Sequence, residues 1–179
     1  MREVYLYIAM TLDGFISDNN GSVSFLDNYS DNLEILNSYN NFIEKIDTVI
    51  LGYNTYEKIV NELSVDVWPY DELYSYVFTH RSIENKKYNI EIVNRDIYDF
   101  IYQLKHKNGK GIWICGGANI INQLIRSKLI DKYYISVIPK ILGSGIRLFD
   151  DNNSTLLKLN LINTKSYNNG IVDLIYSSK

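Results

Sequence analysis

Three short stretches carry residue types suited to holding anions, and each follows an apolar, strand-like run. In "LGYNTYEKI" (51–59) the chain turns at Gly52, and Tyr53, Asn54 and Thr55 open a helical pattern. Asn54 and Thr55 offer an amide, a hydroxyl and backbone N–H groups, either to an anion or simply to the end of their own helix. "VFTHR" (77–81) ends in Thr79, His80 and Arg81. That combination suits a phosphate or an adenine ring, because a guanidinium can both pair and stack. In "WICGGANIINQLI" (113–125) Gly116 and Gly117 stand where an apolar run stops and a helical one, beginning Ala118-Asn119, starts. Without side chains there, backbone can approach a pyrophosphate closely while the helix N-terminus supplies partial positive charge. The stretch is neither a GxGxxG fingerprint nor a P-loop, since no Lys-Ser/Thr follows. Close helix–strand packing would also require two glycines. A dinucleotide, however, needs one subsite for each of its parts, and three anion-friendly turns supply them.

The elements that must position these turns alternate along the chain. Apolar, β-branched or aromatic runs at 3–10, 47–52, 73–79, 90–93, 111–115 and 131–139 read as strands. Helical patterns lie between them. "DNLEILNSYNNFIEKI" places Leu33, Leu36, Tyr39 or Asn40, and Ile43 near one face, with Asp31 as its N-cap; Asn54 or Thr55 caps the second helix and Asp96 the third. "GANIINQLIRSKL" is the fourth. The closing residues alternate on both sides of "NNG", a hairpin signal because Asn and Gly tolerate positive φ. Strand and helix in alternation imply parallel strands joined by crossovers, and the hairpin adds antiparallel strands at one edge. The expected fold is one α/β domain over residues 1–179, with a mixed, mostly parallel sheet. Ligands in such sheets bind beyond the carboxyl ends of the strands.

Composition narrows the function classes. With 46% hydrophobic and 22% charged residues, two prolines and ten glycines, the 179-residue chain reads as an ordinary folded domain. A formal net charge of −3 provides no overall basic field for nucleic acid or an anionic membrane. The opening "MREVYLYIAM" is too short and too tyrosine-rich for a signal peptide, and no stretch reaches transmembrane length, so a cytoplasmic protein is expected. The single cysteine, Cys115, reads as a small core residue. His80 and His106 show no metal-ligand spacing, and no metal site is expected.

"AMTLDGFIS" (9–17), "DTVILGYNTYE" (47–57), "WPY" (68–70), "VFTHR" (77–81), "IWICGGANIINQLI" (112–125) and "VIPKILGSGIRLF" (137–149) together resemble the dihydrofolate reductase superfamily. The branch they are similar to is the reductase domain of bifunctional riboflavin-biosynthesis proteins. The likeness is collinear and spans nearly the whole chain. It implies a three-layer α/β/α reductase using NADPH, with NADH left open. It places Gly52, Tyr53, Asn54 and Thr55 on cofactor phosphates, and Thr79, His80 and Arg81 around the adenosine phosphate. Gly116, Gly117, Ala118 and Asn119 fall against the pyrophosphate and nicotinamide side. Ala9 and Ile16 line the nicotinamide, and Asp13 and the "LGSGIRLF" loop face the substrate, unless Asp13 serves to stabilise its own "DG" turn. Tyr53 stands where the reductases commonly carry Arg or Lys, which leaves the 2′-phosphate to Arg81. Phe25 replaces the usual Trp, and Asp27, Asp31 and Glu34 do not match the spacing of the family's pterin carboxylate. The zinc-binding motif of the deaminase half does not occur in these residues.

The implied reaction is hydride transfer to a C=N or C=O group of a small pterin-like or ribosylaminopyrimidine-like substrate. The proton comes from water or from Asp13, Asp27 or Asp31. A non-catalytic dinucleotide-binding module is the alternative. The tyrosine-rich strands or the closing hairpin would support a homodimer, although buried tyrosines would explain the same residues; a small molecule is the other partner expected.

Overall fold

Period-2 alternation in β1 (Val4–Thr11) sends Val4 and Leu6 to one face of a sheet and Tyr5 and Tyr7 to the other, and both faces are covered. The structure, a computed structural model, describes residues 1–27, 32–82, 89–150 and 156–178. In chain order the elements after β1 are β2 (Phe15–Ser17), α1 (Leu33–Ile43), β3 (Ile46–Gly52), α2 (Tyr53–Lys58), β4 (Tyr74–Phe78) and β5 (Ile90–Val93). Then come α3 (Ile97–Lys105), β6 (Gly111–Gly116), α4 (Ala118–Arg126), β7 (Lys132–Ile138), β8 (Ile146–Arg147), β9 (Asn160–Ser166) and β10 (Val172–Ser177). Among the described residues one eight-stranded sheet runs β5-β4-β3-β6-β1-β7-β10-β9. Neighbours from β5 to β7 pair in parallel, whereas β10 is antiparallel to β7 and β9 to β10. The mixed sheet and closing hairpin agree with the sequence reading.

Helices α3 and α4 cover one face. Ile101, Leu104, Ile121 and Leu124 pack on Leu6, Ile50, Ile112 and Ile114. Helices α1 and α2 lie over the other, where Phe42 and Ile59 meet Tyr5, Val49, Leu51 and Trp113. The apolar stripe of α1 agrees with the sequence reading at Tyr39 and Ile43, which pack inward, and differs at its start. Leu33 and Leu36 are exposed, while Ile35, Tyr39 and Phe42 turn inward, since the aromatic pair at spacing three fills the space over Tyr7 and Trp113. The helix is capped by Asn32, whose side chain accepts from the Glu34 and Ile35 N–H groups; Asp31 lies outside the described residues. Asp96 caps α3 as expected, accepting from Asp99 N–H.

The short pair β2 and β8, in a small sheet of its own, was not foreseen. Three and two residues are too few to show a period. Gly145, at φ +150°, makes the pairing possible, because a Cβ there would collide with the Ser17 carbonyl oxygen. At the opposite end of the strands, Arg2 pairs with Asp47 and Thr48, and Lys105 with Asp131. A concavity of about 260 Å³ at that end borders Arg2 and Lys105, whose charges these pairs already engage.

Candidate functional site

The three glycine- or threonine-bearing turns come from β3, β4 and β6, which lie side by side in the sheet. Leu51 of β3 pairs with Gly116 of β6, so the β3–α2 and β6–α4 turns start at one level. The contact between them is close. A Cβ on Gly52 would sit 3.4 Å from the Gly117 nitrogen, and one on Gly117 would sit 3.3 Å from Thr55 Oγ1. Gly116 adopts φ +143° and is joined to Gly117 by a cis peptide bond. Such a φ disfavours any side chain.

Both helices leave these turns without a side-chain cap. Gly52 is the N-cap of α2 and Gly117 that of α4. Asn54 and Thr55 therefore lie inside the first turn of α2 and do not cap it, contrary to the sequence reading. The Thr55 hydroxyl instead overhangs the paired glycines, and Asn54 is exposed. Ala118 and Asn119 form the first turn of α4, whose N–H groups have no acceptor from the N-cap and carry the partial positive charge of the helix end. Asn119 Oδ1 accepts from Gln123 Nε2 at 2.6 Å.

Beyond β4, Thr79 Oγ1 accepts from Arg81 N–H at 3.0 Å, and His80 Nδ1 lies 2.9 Å from Asn94 Oδ1. These bonds shape a tight turn. The Arg81 guanidinium lies 4.7 Å over the ring of Tyr53, whose hydroxyl donates to Glu57 at 3.0 Å. A positive charge thus stands beside the position where Tyr53 itself has none.

The other half of the site lies around the carboxyl end of β1. Val4 to Leu6 are buried, but Tyr7 through Met10 are only partly so, although β1 is a central strand. Incomplete burial of a central strand marks where the covering layer parts. Ala9 packs against the cluster of Phe25, Ile138, Tyr167 and Ile171, and Ile16 packs on the opposite core. The two residues expected at the nicotinamide therefore belong to different faces.

Asp13 is a fastener. Its carboxylate accepts from Thr11 Oγ1 at 2.6 Å, from Gly143 N–H at 2.7 Å and from Leu142 N–H at 3.1 Å. The Thr11 hydroxyl bond, followed by the loop N–H groups, holds its pKa down at about 2. Asp13 thus ties the turn after β1 to the "LGSG" loop. Asp27 is exposed at the end of the 3-10 turn Ser24–Leu26. Cys115 touches the Tyr70 hydroxyl at 3.6 Å, and burial pushes its thiol up to about 11. At neutral pH it stays a thiol, in keeping with a core role.

A polar group that the sequence did not signal sits nearby. Ser136 Oγ donates to Asp173 Oδ1 and the Tyr167 hydroxyl to Asp173 Oδ2, each at 2.6 Å. Within "GIVDLIY" Asp173 looks like the polar position of an alternating strand, and only the pairing of β10 with β7 brings it to Ser136.

Six parallel strands between two helical layers, with the glycine turns at their carboxyl ends and an antiparallel hairpin at the edge, make a dihydrofolate-reductase-like fold. Residues 2–172 match the RibD C-terminal domain, and the chain belongs to that family. It is 37% identical over 171 residues to the uncharacterized protein YwjB of Bacillus subtilis (strain 168), covering 95% of both chains. With YyaP of the same organism, also uncharacterized, it shares 30% identity, covering 98% of this chain and 94% of YyaP. A crystal structure of a Shewanella sp. PV-4 protein ascribed to riboflavin biosynthesis superposes with a TM-score of 0.80 at 26% identity, over 98% of each chain. The fold also matches a Thermotoga maritima diaminohydroxyphosphoribosylaminopyrimidine deaminase/5-amino-6-(5-phosphoribosylamino)uracil reductase, with a TM-score of 0.68 at 15% identity. That likeness covers 98% of this chain and 56% of the Thermotoga one.

Proposed function

We propose that the protein is an NADPH-dependent reductase that delivers hydride to a C=N or C=O group of a small pterin-like or ribosylaminopyrimidine-like molecule. Membership of the RibD C-terminal family and the riboflavin-biosynthesis structural neighbours support a reductase-type role. The observation that carries the reading is the convergence of two uncapped helix N-termini on glycine turns, with a guanidinium at one side. The residues present fit a dinucleotide. A cradle that a Cβ at Gly116 or Gly117 would obstruct suits a pyrophosphate, held by the first-turn N–H groups of α2 and α4 and by Thr55. Arg81 takes the 2′-phosphate, supplying the charge that Tyr53 lacks, and this favours NADPH over NADH.

When bound, the cofactor supplies the hydride. The chain's own residues orient the partners and exclude water. Asp13 keeps the "LGSG" loop closed on the turn after β1. With its pKa held near 2, it is a poor proton donor at neutral pH, so the proton comes from water or another acid. The test is to mix the protein with NADPH and a panel of pterins and ribosylaminopyrimidines and follow the reduced-nicotinamide absorbance. Bleaching with one of them supports the reading. Binding of NADPH without oxidation by any would leave a dinucleotide-binding module, and absence of binding would refute both.

A homodimer fits the same reading. β9 is an edge strand with all seven residues exposed, Leu161 and Ile162 among them. Sedimentation should then give twice the 20.8 kDa chain mass.

A further inference from the structure

Neither described candidate acid is placed to orient a substrate: Asp13 is occupied with Leu142 and Gly143, and Asp27 is exposed at the end of a turn. A third carboxylate is better situated. Ala9 pairs with Ser136, and Ser136 with Asp173, so the three form one row across β1, β7 and β10. Residues in register on neighbouring strands project to the same face. Ala9 follows Tyr5 and Tyr7 at period two, on the face that α1 covers, so Ser136 and Asp173 project to that face too, beside the partly buried end of β1.

Tyrosine hydroxyls surround this carboxylate. Tyr7 lies on the same face two residues before Ala9, and its phenol is raised first by burial and then by Asp173, Tyr167 and Tyr39. Tyr39 is pushed up to about 12, by burial and then by Cys115, the residue before the double glycine. Ser136 and Tyr167 each occupy one carboxylate oxygen, and each oxygen retains a further lone pair. Strands stand about 4.8 Å apart, so Asp173 lies about 10 Å from Ala9, within the length of one substituted heterocycle.

We propose that Asp173 is the substrate-orienting carboxylate of this site. It accepts hydrogen bonds from the N–H donors of an amino-substituted nitrogen heterocycle, and Ser136 and Tyr167 fix its rotamer. This rests on the reductase reading, because Ala9, at the head of the row, is the residue expected at the nicotinamide.

The test is calorimetric titration of the protein with NADP⁺, and then of the NADP⁺-saturated protein with 5-amino-6-(5-phosphoribosylamino)uracil. Wild type, Asp173→Asn, Asp173→Glu and Ser136→Ala are compared, with thermal midpoints measured in parallel. Asp173→Asn should weaken the pyrimidine by about 10- to 100-fold and leave NADP⁺ affinity unchanged. Asp173→Glu should recover part of the loss. Ser136→Ala, which keeps the carboxylate, should lose about 3-fold and serves if the asparagine variant does not fold. Equal pyrimidine affinity in wild type and Asp173→Asn, or a lower thermal midpoint alone, would overturn the proposal and reduce Asp173 to a tie between hairpin and sheet. Wild type that binds NADP⁺ but not the pyrimidine would overturn it as well while sparing the cofactor site. Failure to bind NADP⁺ would remove the reductase reading beneath it.

Discussion

The candidate site has two halves built in different ways. The half at β3, β4 and β6 is made mostly of backbone: Gly52, Gly116 and Gly117 clear space, and helix ends supply N–H groups. The half at β1, β7 and β10 is made of side chains, with Tyr7, Tyr39, Ser136, Tyr167 and Asp173 drawn from four elements and the hairpin turn. Backbone recognition suits a ligand whose phosphates are invariant. Side-chain recognition can change one residue at a time, which suits the variable partner. The two halves should therefore fail separately under mutation.

The largest expected effect tests whether the aromatic floor of the second half is structural. Phe42 is almost fully buried, stacked on Tyr7 at 4.4 Å and edge-on to Trp113 at 5.6 Å. Phe42→Ala should cost about 3–5 kcal/mol in denaturant unfolding. NADPH affinity, measured where the variant remains folded, should stay close to that of wild type. A matching loss of affinity would mean that the halves are coupled.

Next in size is Gly117→Val. A Cβ there already meets Thr55 Oγ1 at 3.3 Å, and the branched methyls would fill the cradle. NADPH binding followed by fluorescence should weaken about 100-fold, or about 2.7 kcal/mol. A thermal midpoint that fell sharply while affinity held would instead assign the two glycines to helix–strand packing.

Arg81→Ala separates the phosphates. It should reduce NADPH affinity about 10-fold while leaving NADH nearly unchanged, since only NADPH carries the 2′-phosphate. Equal losses for both dinucleotides would place Arg81 on the adenine instead.

The smallest effect concerns the fastener between β1 and the loop. Asp13 has a folded pKa near 2, against an ordinary 3.8. A depressed carboxylate stabilises the folded state above its ordinary pKa, and that contribution is lost as pH falls from about 4 through 2. Wild type should therefore lose thermal midpoint over this window more steeply than Asp13→Asn. Identical acid limbs would contradict the assignment.

The glycine turns were legible in the sequence because their signals are local. A glycine pair between a strand pattern and a helix pattern occupies adjacent positions, and the six parallel strands fell where their apolar runs stood. Boundaries at the helix starts were less legible. Asn54 and Thr55 are good capping types, yet Gly52 takes that position because the chain must pass close to Gly117. The stripe of α1 was misplaced by the exposed Leu33 and Leu36, since spacing alone cannot say which of two overlapping apolar rows meets the sheet. Asp173 was invisible for a different reason: it lies 37 residues from Ser136, and only strand register joins them.

The most direct measurement is a titration of the wild-type protein with NADPH and NADH, read by nicotinamide fluorescence. Saturable, one-to-one binding with NADPH tighter than NADH is the predicted result. No binding of either at millimolar concentration would contradict the assignment of the three strand ends to a dinucleotide.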